Sequence, residues 1–309
     1  MKLVSILITC FNAKDTIERT VNSALIQDWQ NIEIIIIDDC SMDGSYELLE
    51  SLYLKESKIS LFRNPINLGY PASLNKGIRK SKGEFIAIFD DDDENKKNRV
   101  SSQVKKILSC EEKYKNDLTL CYSNREIYRN GSNICDHVAL AIGRKAPEPF
   151  GEEVAEFIFG FNVSPLKSWG MFGSCTLMVK KDVFNKLGEF DESFRRSSEW
   201  DFAIRAAFQG AYFVAVNKPL IKMYKTKGSD KANKIPLIYS LKIREKYKKY
   251  LTSKGFYNAS KCIAKSNFYF NKKKIILGFI YKLLSLIFAP HLLGEIIKKK
   301  LYIKKQFKI

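Results

Sequence analysis

Apolar residues in the first ninety positions come as short, dense runs separated by polar, glycine-punctuated stretches. Residues 3–10 (LVSILITC), 32–37 (with four consecutive isoleucines) and 85–89 (FIAIF) are continuous rather than alternating. Such runs fit strands buried on both faces, as in parallel sheets. Between them the spacing becomes helical. Ile17, Val21, Ala24 and Leu25 share one face, and Asp15 with Glu18 three residues on has the form of a capping box. A second helix is expected over 45–54, a short strand over 59–63, and a third helix after Tyr70, where Pro71 suits a first turn. The order β-α-β-α-β-α-β predicts an α/β fold built on a mostly parallel, doubly wound sheet.

Further along, the pattern predicts helices over 98–110 and 181–186, strands over 118–122, 174–179 and 212–216, and a helix opening at 195–201 and running to Gln209, with Gly210 closing it. Residues 124–168 are aromatic, broken by Gly and Pro, and carry no clear period. After Gly228 the composition changes. Residues 236–251 and 258–269 read as basic helices. The run 275–289 is the most apolar of the chain, yet it contains Lys282 and is stopped by Pro290. That is short of the roughly 20 apolar residues a membrane span needs. A boundary near 228 divides the chain into domain 1–228 and a basic helical region 229–309.

Charge sharpens this division. The 309 residues hold 52 Lys/Arg and 34 Asp/Glu, a net of +18. From Ile235 to Ile309 there are 18 basic and 2 acidic residues, so the remainder is nearly neutral, with 34 against 32. An apolar run flanked by Lys272-Lys273-Lys274 and Lys298-Lys299-Lys300 fits a helix lying on an anionic membrane surface. The competing reading is a helix that packs on the first domain and solvates its basic face. No recognised nucleic-acid motif accompanies the basic region, and no nucleic-acid partner is expected. The seven cysteines are scattered without a Cys-x-x-Cys pair, which argues against zinc or redox-motif chemistry and for a reducing compartment. The N-terminus carries no secretion signal, so a cytoplasmic location is expected.

The candidate chemistry lies where strands end. The run at 85–89 meets Asp90-Asp91-Asp92-Asp93-Glu94, and 32–37 ends in Asp38-Asp39. Five adjacent carboxylates repel one another unless solvated or neutralised by a cation. At the carboxyl end of a buried parallel strand, where open α/β sheets bind ligands, a cation is the better explanation. Oxygen ligands favour Mg²⁺ or Mn²⁺. In extended chain Asp90 and Asp92 share a side, and Glu94 leads towards the next helix. No P-loop and no Gly-x-Gly-x-x-Gly is present, and the two histidines, His137 and His291, make histidine acid–base chemistry a poor prospect. A carboxylate is the remaining candidate base, and Glu199 and Asp201 sit at a helix start, a position where a carboxylate also favours the helix dipole.

These stretches together resemble the inverting glycosyltransferases of family 2. The resemblance rests on Val4-Ser5-Ile6-Leu7-Ile8-Thr9-Cys10-Phe11-Asn12, on Ile35 through Ser45, on Asn67-Leu68-Gly69 and Leu74-Asn75-Lys76-Gly77, on Gly83 through Asp93, and on Phe184 through Phe194 followed by Glu199-Trp200-Asp201-Phe202. It covers about residues 3 to 225. It implies a GT-A fold and a hexosyl transfer from a nucleotide-sugar, a UDP-sugar foremost, to a saccharide or lipid-linked acceptor in surface polysaccharide biosynthesis, on the inner face of the cytoplasmic membrane. By position, Asp39 would bond the nucleotide base, with Phe11, Asp38, Asp90 and Asp91 around the donor. Asp92, supported by Asp90, would hold Mn²⁺ or Mg²⁺ at the diphosphate. The family commonly has Glu-Asp-aromatic-Asp at its base; here Ser198-Glu199-Trp200-Asp201 puts Glu199 at the base position, with Asp201 in reserve. The family's histidine after the last core strand is missing from 224–229, where Lys227 is the candidate diphosphate contact. A nucleotidyltransferase of related fold and a non-catalytic nucleotide- or membrane-binding protein remain as alternatives; the first would need a Gly-rich basic loop after the first strand, which Phe11-Asn12-Ala13-Lys14 is not.

Overall fold

A computed structural model describes residues 1–129, 133–161, 164, 166–225, 234–291 and 293–294. The first elements appear in the expected order: β1 (Val4–Cys10), α1 (Ile17–Leu25), β2 (Ile32–Asp38), α2 (Ser45–Tyr53), β3 (Ile59–Arg63), α3 (Tyr70–Lys80) and β4 (Phe85–Asp90). They are followed by β5 (Glu94–Asn95), α4 (Arg99–Tyr114), β6 (Thr119–Tyr128), β7 (Cys135–Ala139), α5 (Glu152–Phe159), β8 (Met178–Lys180), α6 (Asp182–Leu187), α7 (Ser198–Phe208) and β9 (Tyr212–Tyr224). Four helices close the described chain: α8 (Ile235–Lys246), α9 (Lys248–Ser253), α10 (Tyr257–Asn271) and α11 (Ile275–Phe288).

The sheet runs β3-β2-β1-β4-β8-β6-β9-β5, with β7 paired to β6. β1, β2, β3 and β4 are parallel neighbours, and β6 and β9 are parallel to each other. Only β5, β7 and β8 run against the rest. The unbroken apolar runs have their expected cause, since every residue of β1 is buried and only Glu33 of β2 and Asp90 of β4 are less so. Glu33 accepts from Ser5 Oγ and from the N–H groups of Lys82 and Gly83, which ties the entry of β4 to β1 and β2. Gly83 leaves no room for a side chain there: a Cβ would stand 2.5 Å from the Ser5 nitrogen. The strand order places β1, β2 and β4 side by side, so their carboxyl ends share one edge.

Several expectations shift. α1 begins at Ile17 with Thr16 at its N-cap and no side-chain cap bond, so the Asp15–Glu18 box is not formed. β6 and β9 are longer than predicted because they pair with each other over ten positions. The expected strand over 174–179 is a single 3₁₀ turn, Ser174–Thr176, before the short β8. Residues 236–251 form two helices rather than one.

The chain folds as two units. One contains Met1–Phe150 and the segment from Ser168 through β9; the other joins Gly151–Lys167 to the C-terminal helices. The division near 228 therefore has a counterpart, but α5 and its flanks leave the first unit. In the second unit Phe161 stacks on Phe256 with ring centroids 3.8 Å apart, and Phe159 packs on Tyr247 and Tyr250. Arg244, buried there, donates to Ser260 O at 2.8 Å and Phe159 O at 3.3 Å, satisfying two carbonyls that burial would otherwise leave bare. Aromatic burial explains why residues 151–167 of the unperiodic stretch leave the sheet domain.

Candidate active site

The edge formed by the carboxyl ends of β1, β2 and β4 is built by three loops that hold one another. The loop after β1 is bonded to the loop after β2: Asn12 N donates to Ser41 Oγ at 3.0 Å, Met42 N to Asn12 Oδ1 at 2.9 Å, Ala13 N to Ser45 Oγ at 2.9 Å and Lys14 N to Asp43 Oδ2 at 3.0 Å. Asn12 and Cys40 adopt left-handed backbone, which these side-chain bonds sustain. Such a network fixes the walls of a crevice before any ligand arrives.

Asp38 and Asp39 form these walls. Asp38 is fully buried; its Oδ2 accepts from Ser41 N at 3.0 Å and lies 3.4 Å from Arg63 Nε, while Oδ1 is buried without a partner. Asp39, expected to bond the nucleotide base, commits three acceptor positions to the loop before α3: Oδ1 accepts from Asn64 Nδ2 at 2.8 Å and Leu68 N at 2.9 Å, and Oδ2 from Gly69 N at 2.8 Å. Gly69 at φ 92° turns the chain into α3. A carboxylate has about four acceptor positions, so one remains on Asp39. Phe11 stands half exposed at the end of β1, and its N–H donates to Asp91 Oδ2 at 3.1 Å.

The acidic run departs from the expected geometry. β4 ends at Asp90, the chain turns through Asp91 and Asp92, and Asp93 N approaches Asp90 O at 3.4 Å. A turn returns every third residue, not every second, so Asp90 meets Asp93 rather than sharing an extended face with Asp92. Carboxylate oxygens of Asp90 and Asp93 lie with Cys175 Sγ within 4.8 Å of one another. Asp93 is buried and neither of its oxygens has a hydrogen-bond partner. Burial, then the charges of Asp90 and Asp92, push its carboxyl well above the usual range. Burial and the Asp92 charge, with Tyr70 Oη donating at 3.0 Å as a counterweight, raise Asp90 to about 6. Burial raises Asp91 to about 8, with Asp92 and Asp90 adding and the Phe11 N–H opposing. Asp92 is half exposed at the tip of the turn, and its carbonyl accepts from Arg19, whose guanidinium lies over the Tyr224 ring. Glu94, expected to lead into the next helix, instead lies in β5 and bonds Lys222 Nζ at 2.9 Å and Tyr224 Oη at 3.1 Å.

Two arginines face this cluster. Arg99 is buried, bonded to Asn95, Gln103 and Ile88 O, and lies over the Phe89 ring. Arg125, from β6, donates to Cys175 Sγ at 2.9 Å. Their charges oppose the rise of the Asp90 and Asp93 carboxyls. Burial pushes the Cys175 thiol up, so it stays protonated and is a poor ligand for a hard cation. The two unpaired oxygens of Asp93, beside Asp90, do fit Mg²⁺ or Mn²⁺ in donor type and charge.

Glu199 comes to this site from the first turn of α7, far along the chain. Ser197 at φ 64° precedes the helix and sets its start. Burial raises the Glu199 carboxyl to about 7; the Asp90 charge adds to the rise, while its own backbone N–H, Arg196 and Arg125 oppose it. Asp201 has a different setting. It is fully buried, with Oδ2 accepting from Arg205 Nε at 3.0 Å, and Arg205 in turn bonds the carbonyls of Leu187, Gly188 and Glu189. This geometry suits a brace between α7 and the 187–189 loop. Asp201→Ala is accordingly expected to lower stability by about 2 kcal/mol by leaving the Arg205 charge without its carboxylate, read as a drop in thermal midpoint. The Lys227 assignment lies outside the described residues.

Of the residues brought together here, Tyr70, Arg99, Arg125 and Cys175 are not candidates from the sequence, and Asp93 is one only as the neighbour of Asp92. Asp93 was visible as the last of four aspartates, but only the turn geometry selects it. Nothing local distinguishes Arg125 or Cys175.

Residues 5–139 match the family described as Glycosyl transferase family 2. Over that stretch the chain carries the family's sequence pattern. Among similar proteins, the UDP-Glc:alpha-D-GlcNAc-diphosphoundecaprenol beta-1,3-glucosyltransferase WfaP of Escherichia coli is 40% identical over 104 residues, covering 34% of this chain and 41% of that protein. The amylovoran biosynthesis glycosyltransferase AmsB of Erwinia amylovora is 27% identical over 218 residues, 70% of this chain and 67% of that protein. The chain thus spans only 41% of WfaP, and 37% of an uncharacterized glycosyltransferase of Haemophilus influenzae to which it is 39% identical over 93 residues. Crystal structures of S. aureus TarS 1-349 share the fold: one in complex with UDP superposes with a TM-score of 0.56 at 14% identity, covering 91% of this chain and 90% of that one. The α/β architecture is the GT-A arrangement of that structure.

Proposed function

We propose that this chain is an inverting glycosyltransferase that moves a sugar from a UDP-sugar to a hydroxyl of a saccharide or lipid-linked acceptor in surface polysaccharide biosynthesis. The observation that carries this reading is the raised Glu199 carboxyl beside the acidic turn: a base whose proton affinity lies near neutrality, next to carboxylates suited to a cation. Relatives named as glucosyltransferases acting on diphosphoundecaprenol-linked sugar, and the UDP bound by TarS, favour this donor and acceptor class.

The donor nucleotide lies between the loops after β1 and β2, with Phe11 against it, Asp91 holding the Phe11 backbone, and Asp38 and Asp39 fixing the loops and offering the remaining acceptor position. Asp92 and Asp90, with Asp93 behind them, would hold Mn²⁺ or Mg²⁺, which when bound neutralises charge on the leaving diphosphate. Glu199 accepts the proton of the acceptor hydroxyl as its oxygen attacks the anomeric carbon from the face opposite the diphosphate, which inverts that centre. Asp201 braces the helix that carries Glu199. Arg125 and Arg99 counter the charge of the acidic cluster, which keeps Glu199 available as a base. No described helix is long and apolar enough to cross a membrane; association with the cytoplasmic face of the membrane would come from the basic C-terminal helices.

Incubation of the full chain with a panel of nucleotide-sugars, Mn²⁺ and a diphosphoundecaprenol-linked sugar, followed by mass spectrometry, tests the reading. A product heavier by one hexose residue from a UDP-sugar is expected; nucleotidyl addition to a phosphate would favour the nucleotidyltransferase alternative instead.

A further inference from the structure

The last described helix of the second unit is inverted. α10 and α11 pack on each other, and the face of α11 turned inward carries its smallest side chains. Gly278 and Ser285 are buried. Ser266 Oγ of α10 donates to Gly278 O at 2.8 Å, and a Cβ at Gly278 would stand 2.6 Å from the Phe270 ring. What α11 presents outward is large and apolar: Ile276 is 78% exposed, Phe279 58%, Leu283 61% and Ile287 70%, with Ile275, Ile280 and Phe288 beside them. Positions 276, 279, 280, 283 and 287 follow helical spacing, so they form one stripe along the helix. A water-facing helix does the opposite, burying its large apolar residues and exposing its small and polar ones. A contiguous apolar face of this kind marks an interaction surface.

The charge around the stripe identifies the occupant. Lys272, Lys273 and Lys274 precede α11, Lys265 lies over the Tyr281 ring on its flank, and the sequence from Ile235 onward carries 18 basic residues against 2 acidic. A second copy presenting the same face would bring like charges together, which disfavours self-association. An anionic lipid surface complements both features, taking apolar side chains between its acyl chains and lysines at its phosphates. The length agrees: fourteen residues span about 21 Å, less than the roughly 30 Å of a bilayer core, so the helix lies in the interface rather than across it.

We infer that the outward stripe of α11, centred on Phe279 and Leu283, inserts into the headgroup boundary of an anionic membrane with the 272–274 lysines at the phosphates. The inference deepens the membrane association proposed above, naming its face and its partner, and does not depend on the sugar chemistry. It confines the enzyme to the surface where a lipid-linked acceptor would be presented.

Vesicle co-sedimentation of the full chain tests it. Wild type is expected to sediment with phosphatidylcholine vesicles containing phosphatidylglycerol, to remain in solution with phosphatidylcholine alone, and to be released by raised salt. The double variant Phe279→Glu/Leu283→Glu is expected to lose vesicle binding entirely. Because both side chains are solvent-facing, it should keep the wild-type thermal midpoint and wild-type release of UDP from donor in the absence of vesicles. Wild type that fails to sediment with anionic vesicles, a double variant that binds them as wild type does, or a dimer in solution dissolved by the double variant would each overturn the inference. UDP release measured in parallel reports separately on the transferase reading.

Discussion

Glu199→Gln is expected to lower sugar transfer by about 10²- to 10⁴-fold, the range for loss of a general base, while leaving donor affinity unchanged. The substitution keeps shape and removes only the ability to take a proton, so transition-state stabilisation is lost and ground-state binding is not. The pH profile carries the sign. Glu199 acts deprotonated, and burial has raised its carboxyl to about 7, so kcat/KM should rise with pH through that value and level off above it. The Asp90 charge contributes to this rise, and its neutralisation by a bound cation should move the limb downward. In the Gln variant the limb should disappear. An unchanged rate in Glu199→Gln would remove the base assignment, and Asp201 would not inherit it easily, because Asp201 is fully buried and braced by Arg205.

The second large effect is expected at the acidic turn. Asp92→Ala should reduce metal-supported transfer by about 10³-fold, corresponding to several kcal/mol of charge stabilisation at the leaving diphosphate, and excess Mn²⁺ should restore little of it. Chelation of wild type by EDTA should match the variant. Asp92 is half exposed at the tip of the turn, whereas Asp93 sits behind it with both oxygens unpaired. Titrating Mn²⁺ against thermal stability separates the two. The folded Asp93 carboxyl is raised above its unfolded value, so in the metal-free protein this group's contribution to stability is present at low pH and lost as pH rises towards the raised value. A cation that neutralises the cluster should restore that loss near neutrality in wild type, and much less so in Asp93→Asn. Full transfer by Asp92→Ala would shift the metal assignment to the Asp90–Asp93 pair.

The parallel core was legible because its signal is local. Strands buried on both faces must be apolar throughout, and 3–10, 32–37 and 85–89 could hardly be anything else. The acidic ends of two such strands pointed to the site edge for the same reason. What was hidden depends on tertiary geometry. Extended chain alternates and so pairs Asp90 with Asp92, whereas the turn at 91–92 also brings Asp93 to Asp90, which the sequence does not reveal. Asp39 is expected at the nucleotide base, but that three donors from the 64–69 loop occupy most of its acceptor positions is visible only in the fold. Arg125 and Cys175 reach the site only because β6 enters the sheet beside β8, a long-range pairing with no signature in either segment. The 124–168 stretch had no period because part of it belongs to the other unit. Glu199 was named by position, and only the fold supplies its setting: desolvation, not a special neighbour, is the largest cause of its raised proton affinity.

Determination of the anomeric configuration of the product by NMR, from a UDP-sugar of known α-linkage turned over with Mn²⁺, tests the central claim most directly. Direct attack aided by Glu199 opposite the diphosphate gives a β-linked product, formed by wild type and lost in Glu199→Gln. An α-linked product, or transfer that persists undiminished without Glu199, would contradict it.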